Sequence, residues 1–288
     1  MKYQTPAIGV SYFQPLPTKG NAATKVTFVT ALSHAESDCL TFYSGDDLDK
    51  LVAIKAGIVI AQEQFKGLDQ DFQSDAIVFA PHPKYTFIKA LEHFCSDLFT
   101  DDRIRLEGPN ISKHSYIESG ASLGEAVEVF PNTTIYDCVQ IGDGSVIQSG
   151  SVIGANGLGD VFYEGAYHRF VHLGGVKVAD QVAIGSNCTI LRGMLEDTVI
   201  GEGTRIGNNV NIGHSSIIGK NVYISSGVTI GGACIIEDNC WISPGVTTTD
   251  HITIGKGTKI GTGSVVIKDA LEDSFYLGNP ARKLPSKP

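Results

Sequence analysis

Residues 200–230 read IGEGTRIGNNVNIGHSSIIGKNVYISSGVTI. Ile200, Ile206, Ile212, Ile218, Ile224 and Ile230 stand six apart without exception. Four residues beyond each comes something small or β-branched: Thr204, Val210, Ser216, Val222, Val228 and Cys234. Gly often follows the aliphatic directly, as at 201, 207, 213, 219 and 231. A period of six fits neither the 3.6 of an amphipathic helix nor the alternation of a half-buried strand. It fits a coil with three short parallel strands per turn, one aliphatic filling each strand's interior and one small residue tucked under each corner. Gly is expected where the backbone bends sharply.

The same step extends outward in both directions. Upstream it runs through Ile111, Ile117, Leu123, Val129, Ile135, Ile141, Ile147 and Ile153, then resumes at Val178, Ile184 and Ile190. Downstream come Ile236, Ile242, Thr248, Ile254, Ile260 and Val266, with Thr248 the polar exception. A parallel β-helix is therefore expected over 106–270, followed by a tail, 271–288. Two interruptions break step: 156–175, NGLGDVFYEGAYHRFVHLGG, and 191–199, which opens LRGMLED. Loops thrown from a rigid scaffold are where function tends to sit.

Residues 1–105 lack the sixfold step. Apolar runs at 26–29, 40–43, 58–60 and 76–79 read as strands. DLDKLVAIKAG (47–57) reads as a helix starting near Asp46 or Asp47, with Gly57 just past its end. HPKYTFIKALEHFC (82–95) reads as a second, opening at Pro83, with Tyr85, Ile88 and Leu91 three apart. A small α/β domain thus precedes the coil, and DDRIRLEGPN (101–110) is the expected junction.

Bulk properties narrow the function. The 288 residues are 42% hydrophobic and 18% charged with net charge −9, which argues against a nucleic-acid or anionic-membrane surface. The N-terminus lacks a basic-then-apolar leader pattern, and no run of 18 apolar residues spans a membrane. Six Cys form no CxxC and read as thiols of a reducing cytosol. A cytoplasmic enzyme is expected.

His214 lies two residues after an interior Ile and should project outward, beside a polar strip of Asn208, Asn209 and Asn211. Gly231-Gly232 follows one turn later, and His251 comes where the interior rule lapses at Thr248. An imidazole of pKa near 6.5 accepts a proton at neutral pH, and positioned proton transfer is worth roughly 10²–10⁴-fold. His168 and His172 lack a third ligand at metal spacing, so His172 reads as structure or acceptor contact; no metal is expected. Arg282 and Lys283, beside Gly278-Asn279-Pro280-Ala281, suit the phosphates of coenzyme A.

Taken together, LTFYS, AIKAGIVIA, VFAPHPKYTFIKALEHF, GANGLG, HLGGV, CTILRGMLEDTVIGEG and NIGHSSIIG resemble the UDP-3-O-acylglucosamine N-acyltransferases of lipid A synthesis over most of the chain. The C-terminal stretch from PGVTTTDHITIG to GNPARKLP is more similar to acetyl-CoA-dependent sugar N-acetyltransferases. The resemblance implies a left-handed coil, in a homotrimer that places sites between chains. It also implies an acyl group passed from acyl-CoA or acyl-carrier protein to the amine of a nucleotide-linked amino sugar, with no tightly bound cofactor. It places the base on His214, an oxyanion-binding N–H on Gly232 and a second functional imidazole on His251. Asn156 and Gly157 would border the active-site loop, and Phe42 would meet the uridine. Four positions depart from the pattern: Gly45 and Leu48 replace an Asn and a Tyr, Gly207 an acidic residue, and Leu191 the Asp before Arg-Gly. Two other classes share the coil, zinc enzymes of the gamma carbonic anhydrase type and non-catalytic scaffolds.

Overall fold

The computed structural model describes residues 2–94 and 110–285. Met1, 95–109 and 286–288 lie outside them, and with them Cys95 and nearly all of the expected junction. The chain divides into a unit of residues 1–104 and a unit of 105–288.

In the first unit a six-stranded sheet runs in the order Lys2–Gly9, Lys25–Thr30, Cys39–Tyr43, Ile58–Gln62, Ala76–Ala80, Thr18–Gly20. The four central strands are parallel and the two edge strands antiparallel. The apolar runs mark the central strands, three of which are buried along nearly their whole length, while Lys25–Thr30 still exposes Lys25 and Thr27; the edges carry no such run. Helix α1 (Leu48–Val52) is capped by Asp47, whose side chain accepts the Lys50 N–H at 3.1 Å. It stops four residues short of the expected end. Gly57 is no helix terminator: a Cβ there would lie 2.4 Å from the Ser37 carbonyl oxygen, so the glycine permits close strand packing. Helix α2 (Pro83–Phe94) opens where expected. Its packed face is Phe87, Ala90, Leu91 and Phe94, while Tyr85 and Ile88 face outward.

In the second unit the sixfold step becomes a three-sided parallel β-helix. Among the described residues one face has eight strands, one seven and one nine. Interior aliphatics stack from coil to coil, Ile135 on Ile153, Ile153 on Ile190, Ile190 on Ile212 and Ile212 on Ile230. These side chains are fully buried or nearly so, each worth roughly 1.5–3 kcal/mol of apolar burial. The small positions satisfy the corners. Ser151 Oγ donates to the Gly185 carbonyl at 2.7 Å and accepts the Cys188 N–H at 3.0 Å. Cys188, Cys234 and Cys240 are buried free thiols, and burial pushes Cys240 up to about 11.

The glycines play a different part from the one expected. Where Gly follows the aliphatic, its φ is ordinary at 201, 207, 213, 219 and 231, yet a Cβ on Gly201 or Gly213 would meet the next coil's backbone at 2.5 Å. Glycine there allows coil-to-coil approach. The left-handed bend falls two residues later, on Gly203, Asn209, Ser215, Asn221, Gly227, Ala233 and His251. The tail, as far as residue 285, is itself paired to the coil. Phe275–Leu277 pairs in parallel with Lys259–Ile260, and Arg282–Leu284 folds back antiparallel on it.

Candidate active site

Both interruptions leave the coil at one corner, the one joining the eight-stranded to the seven-stranded face. Ile153 to Val178 and Ile190 to Ile200 span it on successive turns; Ile212 to Ile218, Ile230 to Ile236 and Thr248 to Ile254 span it on the next three. His214, Gly232 and Asp250 each sit two residues past an interior position, so they form a column along that edge.

The first excursion forms a hairpin, Val161–Tyr163 with Ala166–His168, and then returns to the corner. His168 stays on the hairpin, exposed, its Nε2 3.1 Å from the Tyr163 carbonyl oxygen. The return buries His172, which is 4% exposed. Its ring lies 5.7 Å from that of His214, centroid to centroid, at 76°. Gly157 makes this approach possible: a Cβ there would stand 3.2 Å from both His172 Nε2 and His214 Cδ2, and 3.4 Å from Leu191 Cδ1. Gly159 faces Met194 Cε and the Phe170 Cβ in the same way. Residues of both excursions therefore wall in one imidazole. Asn156 is exposed at the start of the loop.

On its other side His214 lies across Gly232, where a Cβ would come within 2.6 Å of Nε2. The Gly232 N–H donates to Asp250 Oδ1 at 2.8 Å. This is a recurrent corner bond of the coil, matched by Lys220 N–H to Asp238 at 2.7 Å and Ser186 N–H to Asn208 at 2.8 Å. The amide that the resemblance assigns to an oxyanion is thus engaged, and serves one only when Asp250 releases it. Burial, chiefly, and then His172 push the His214 pKa below its ordinary value; Asp250 pulls the other way and His251 adds to the lowering. The half-buried ring is consequently neutral at neutral pH, with Nδ1 buried and unpartnered.

Thr248 explains the lapse in the interior rule. Its buried hydroxyl accepts the Gly231 N–H at 2.9 Å, a bond that replaces part of the strand ladder on this coil. His251 stands just beyond, exposed, in the left-handed conformation (φ 58°), its backbone N–H donating to the Gly232 carbonyl at 2.9 Å.

The other expected residues are not gathered here. Asn211 is exposed on the eight-stranded face between Thr189 and Thr229. Asn208 belongs to the preceding corner and is committed to the coil, accepting from Ser186 N–H while its own N–H donates to Ser226 Oγ at 3.1 Å. Phe42, in the first unit, is half-buried with its ring 5.0 Å from that of Phe87. The turn at Gly278–Ala281 is pinned by the Ala281 N–H to the Val265 carbonyl at 2.8 Å, leaving Arg282 and Lys283 exposed. Among the described residues no three His, Cys, Asp or Glu are placed to hold a metal ion, so nothing favours the zinc reading. Asp250 was missed in the sequence, although it lies a further eighteen residues past Gly232, the same spacing that links Gly232 to His214.

A coil built on a sustained hexad is the architecture of hexapeptide-repeat proteins. The model of the family described as bacterial transferase hexapeptide (six repeats) matches residues 120–155, 197–232 and 233–268. The UDP-3-O-acylglucosamine N-acyltransferase of Leptothrix cholodnii is 34% identical over 296 residues, covering 90% of this chain and 84% of its own length. The chain belongs to the UDP-3-O-acylglucosamine N-acyltransferase family, and its second unit is the parallel β-helix that the hexads demand. The enzyme of that name from Ectopseudomonas mendocina is 44% identical over 92 residues, which are 32% of this chain and only 26% of that protein. A crystal structure of UDP-N-acetylglucosamine O-acyltransferase from Moraxella catarrhalis is similar over 61% of this chain and 74% of its own, at 21% identity and a TM-score of 0.46.

Proposed function

We propose that the chain is an N-acyltransferase that moves an acyl group from acyl-CoA or acyl-carrier protein to the amine of a nucleotide-linked amino sugar. The observation that carries this reading is His214, an imidazole kept neutral by partial burial at the corner where both excursions meet. Amines of this kind titrate near 8, and only the free amine attacks a thioester. Its nitrogen adds to the thioester carbonyl and forms the C–N bond. His214 takes the N–H proton, the C–S bond breaks, and the proton passes on to the departing thiolate sulfur. Gly232 gives the base its place, and His251 orients the acyl thioester or the acceptor.

The exposed Arg282 and Lys283, at the turn of Gly278 and Ala281, suit the phosphates of a coenzyme A donor. Phe42 offers an aromatic face to the nucleotide, and Asn156 and Gly157 border the acceptor's approach. Three copies side by side, as cytoplasmic homotrimers, would supply each outer corner with a second wall. The test is thiol release, crossing acetyl-CoA and longer acyl donors with UDP- and dTDP-linked amino sugars. One pair should turn over and acylate nitrogen. Silence with every pair, or a His214→Ala variant as fast as the parent, overturns the reading.

A further inference from the structure

Two buried nitrogens at this corner have no hydrogen-bond partner: His172 Nε2 and His214 Nδ1. Leaving such groups unpaired is costly, and the two rings that carry them are neighbours. His172 Nδ1 lies 3.3 Å from the Phe170 carbonyl oxygen. A carbonyl only accepts, so Nδ1 carries the proton and Nε2 of the neutral ring presents a lone pair. His214 needs the same tautomer to serve as a base through the Nε2 that faces Gly232: its Nδ1 must carry the proton. One orphan is thus an acceptor and the other a donor.

We propose that His172 is the positioning residue of the base, accepting the His214 Nδ1–H and thereby leaving His214 Nε2 bare for the incoming amine. The chain of bonds runs from His214 Nδ1–H to His172 Nε2, and from His172 Nδ1–H to the Phe170 carbonyl. Two imidazoles joined edge to edge by a hydrogen bond of ordinary length have centroids roughly 5 Å apart. The rings stand 5.7 Å apart at 76°, so closing the bond needs them to turn toward each other, and catalytic hydrogen bonds are often long until substrate is bound. The nearby carboxylate does not fill the role: Asp250 Oδ1 accepts the Gly232 N–H, His214 Nδ1 makes no hydrogen bond to Asp250, and position 207 carries no acid. Gly157 is what allows the second ring in, since any side chain there would start 3.2 Å from both. His251, the remaining imidazole near His214, is exposed and on the opposite side of Gly232 in the column.

The inference rests on His214 being the base, but its test separates the two ideas. In the full-length protein, ¹⁵N-labelled at histidine, the His214 ring should show a protonated Nδ1 and a bare Nε2 without any substrate present. His172→Phe, which fills the space with no acceptor, should convert that signature to a mixture and lower kcat about 10–100-fold with KM within about twofold. His172→Gln, whose amide oxygen falls near the Nε2 position, should restore both. An unchanged tautomer in His172→Phe overturns the proposal even if acyl transfer is confirmed, and so does a variant that raises KM alone. If no acyl transfer is found with any donor, the tautomer measurement still decides the pairing. Far-ultraviolet circular dichroism of both variants excludes a folding loss.

Discussion

Replacing Gly232 by Ala isolates the position of the base from everything else at the corner. The backbone at 232 has an ordinary φ, so alanine adopts it without strain. The amide N–H that Asp250 engages also survives. What changes is space: the new Cβ would lie 2.6 Å from His214 Nε2, about 0.8 Å short of the 3.4 Å at which ordinary contact begins. The backbone of a closed coil cannot retreat, so the imidazole moves. A displacement approaching 1 Å at a catalytic group costs on the order of 10²-fold in rate. Overpacking of one methyl costs about 1–3 kcal/mol, and removing glycine from the unfolded ensemble returns about 0.4–1 kcal/mol of it. Thiol release should therefore fall about 100-fold while thermal unfolding shifts by a few degrees. Wild-type turnover in Gly232→Ala would show that the ring's place above residue 232 is irrelevant to function.

His214→Ala should lose roughly 10²–10⁴-fold in turnover with the circular dichroism of the coil unchanged. Because the His214 pKa is lowered, the acid limb of kcat/KM should lie below the ordinary value of about 6.5, activity falling as the ring protonates; a limb above that value would contradict the desolvated site. The same shift makes the unfolded chain the better proton binder, so this group's contribution to stability is full above about 6.5 and is lost as pH falls toward the folded value. Thr248→Val conforms to the sixfold rule yet removes the acceptor of the Gly231 N–H, and chemical denaturation should show a loss of about 1–3 kcal/mol; a gain would mean the rule outranks the bond. Gly213→Ala drives a Cβ to within 2.5 Å of the next coil's backbone, where nothing flexible can yield, and should lower the melting temperature far more than Gly232→Ala does.

Much of the coil was legible because a β-helix is a nearly one-dimensional object. Each turn touches only its neighbours, so the demand for one aliphatic and one small residue per strand repeats at short range and is written as a period. That local demand determined the three faces, the interior set from Val129 to Val266 and the outward placement of His214. It did not reveal which corner each residue occupies, because the inserted segments break the count of hexads. Only the folded chain shows that residues 157 and 172, both drawn from one excursion, Leu191 from the other, His214, Gly232 and Asp250 share one edge, while Asn208 is held at another. Nor does spacing distinguish a glycine that bends the chain from one that lets two coils touch. Burial of His172, the commitment of Asp250 to an amide and the lowered pKa of His214 are many-body facts of packing, fixed by how a nineteen-residue surplus between Ile153 and Val178 folds back on the corner.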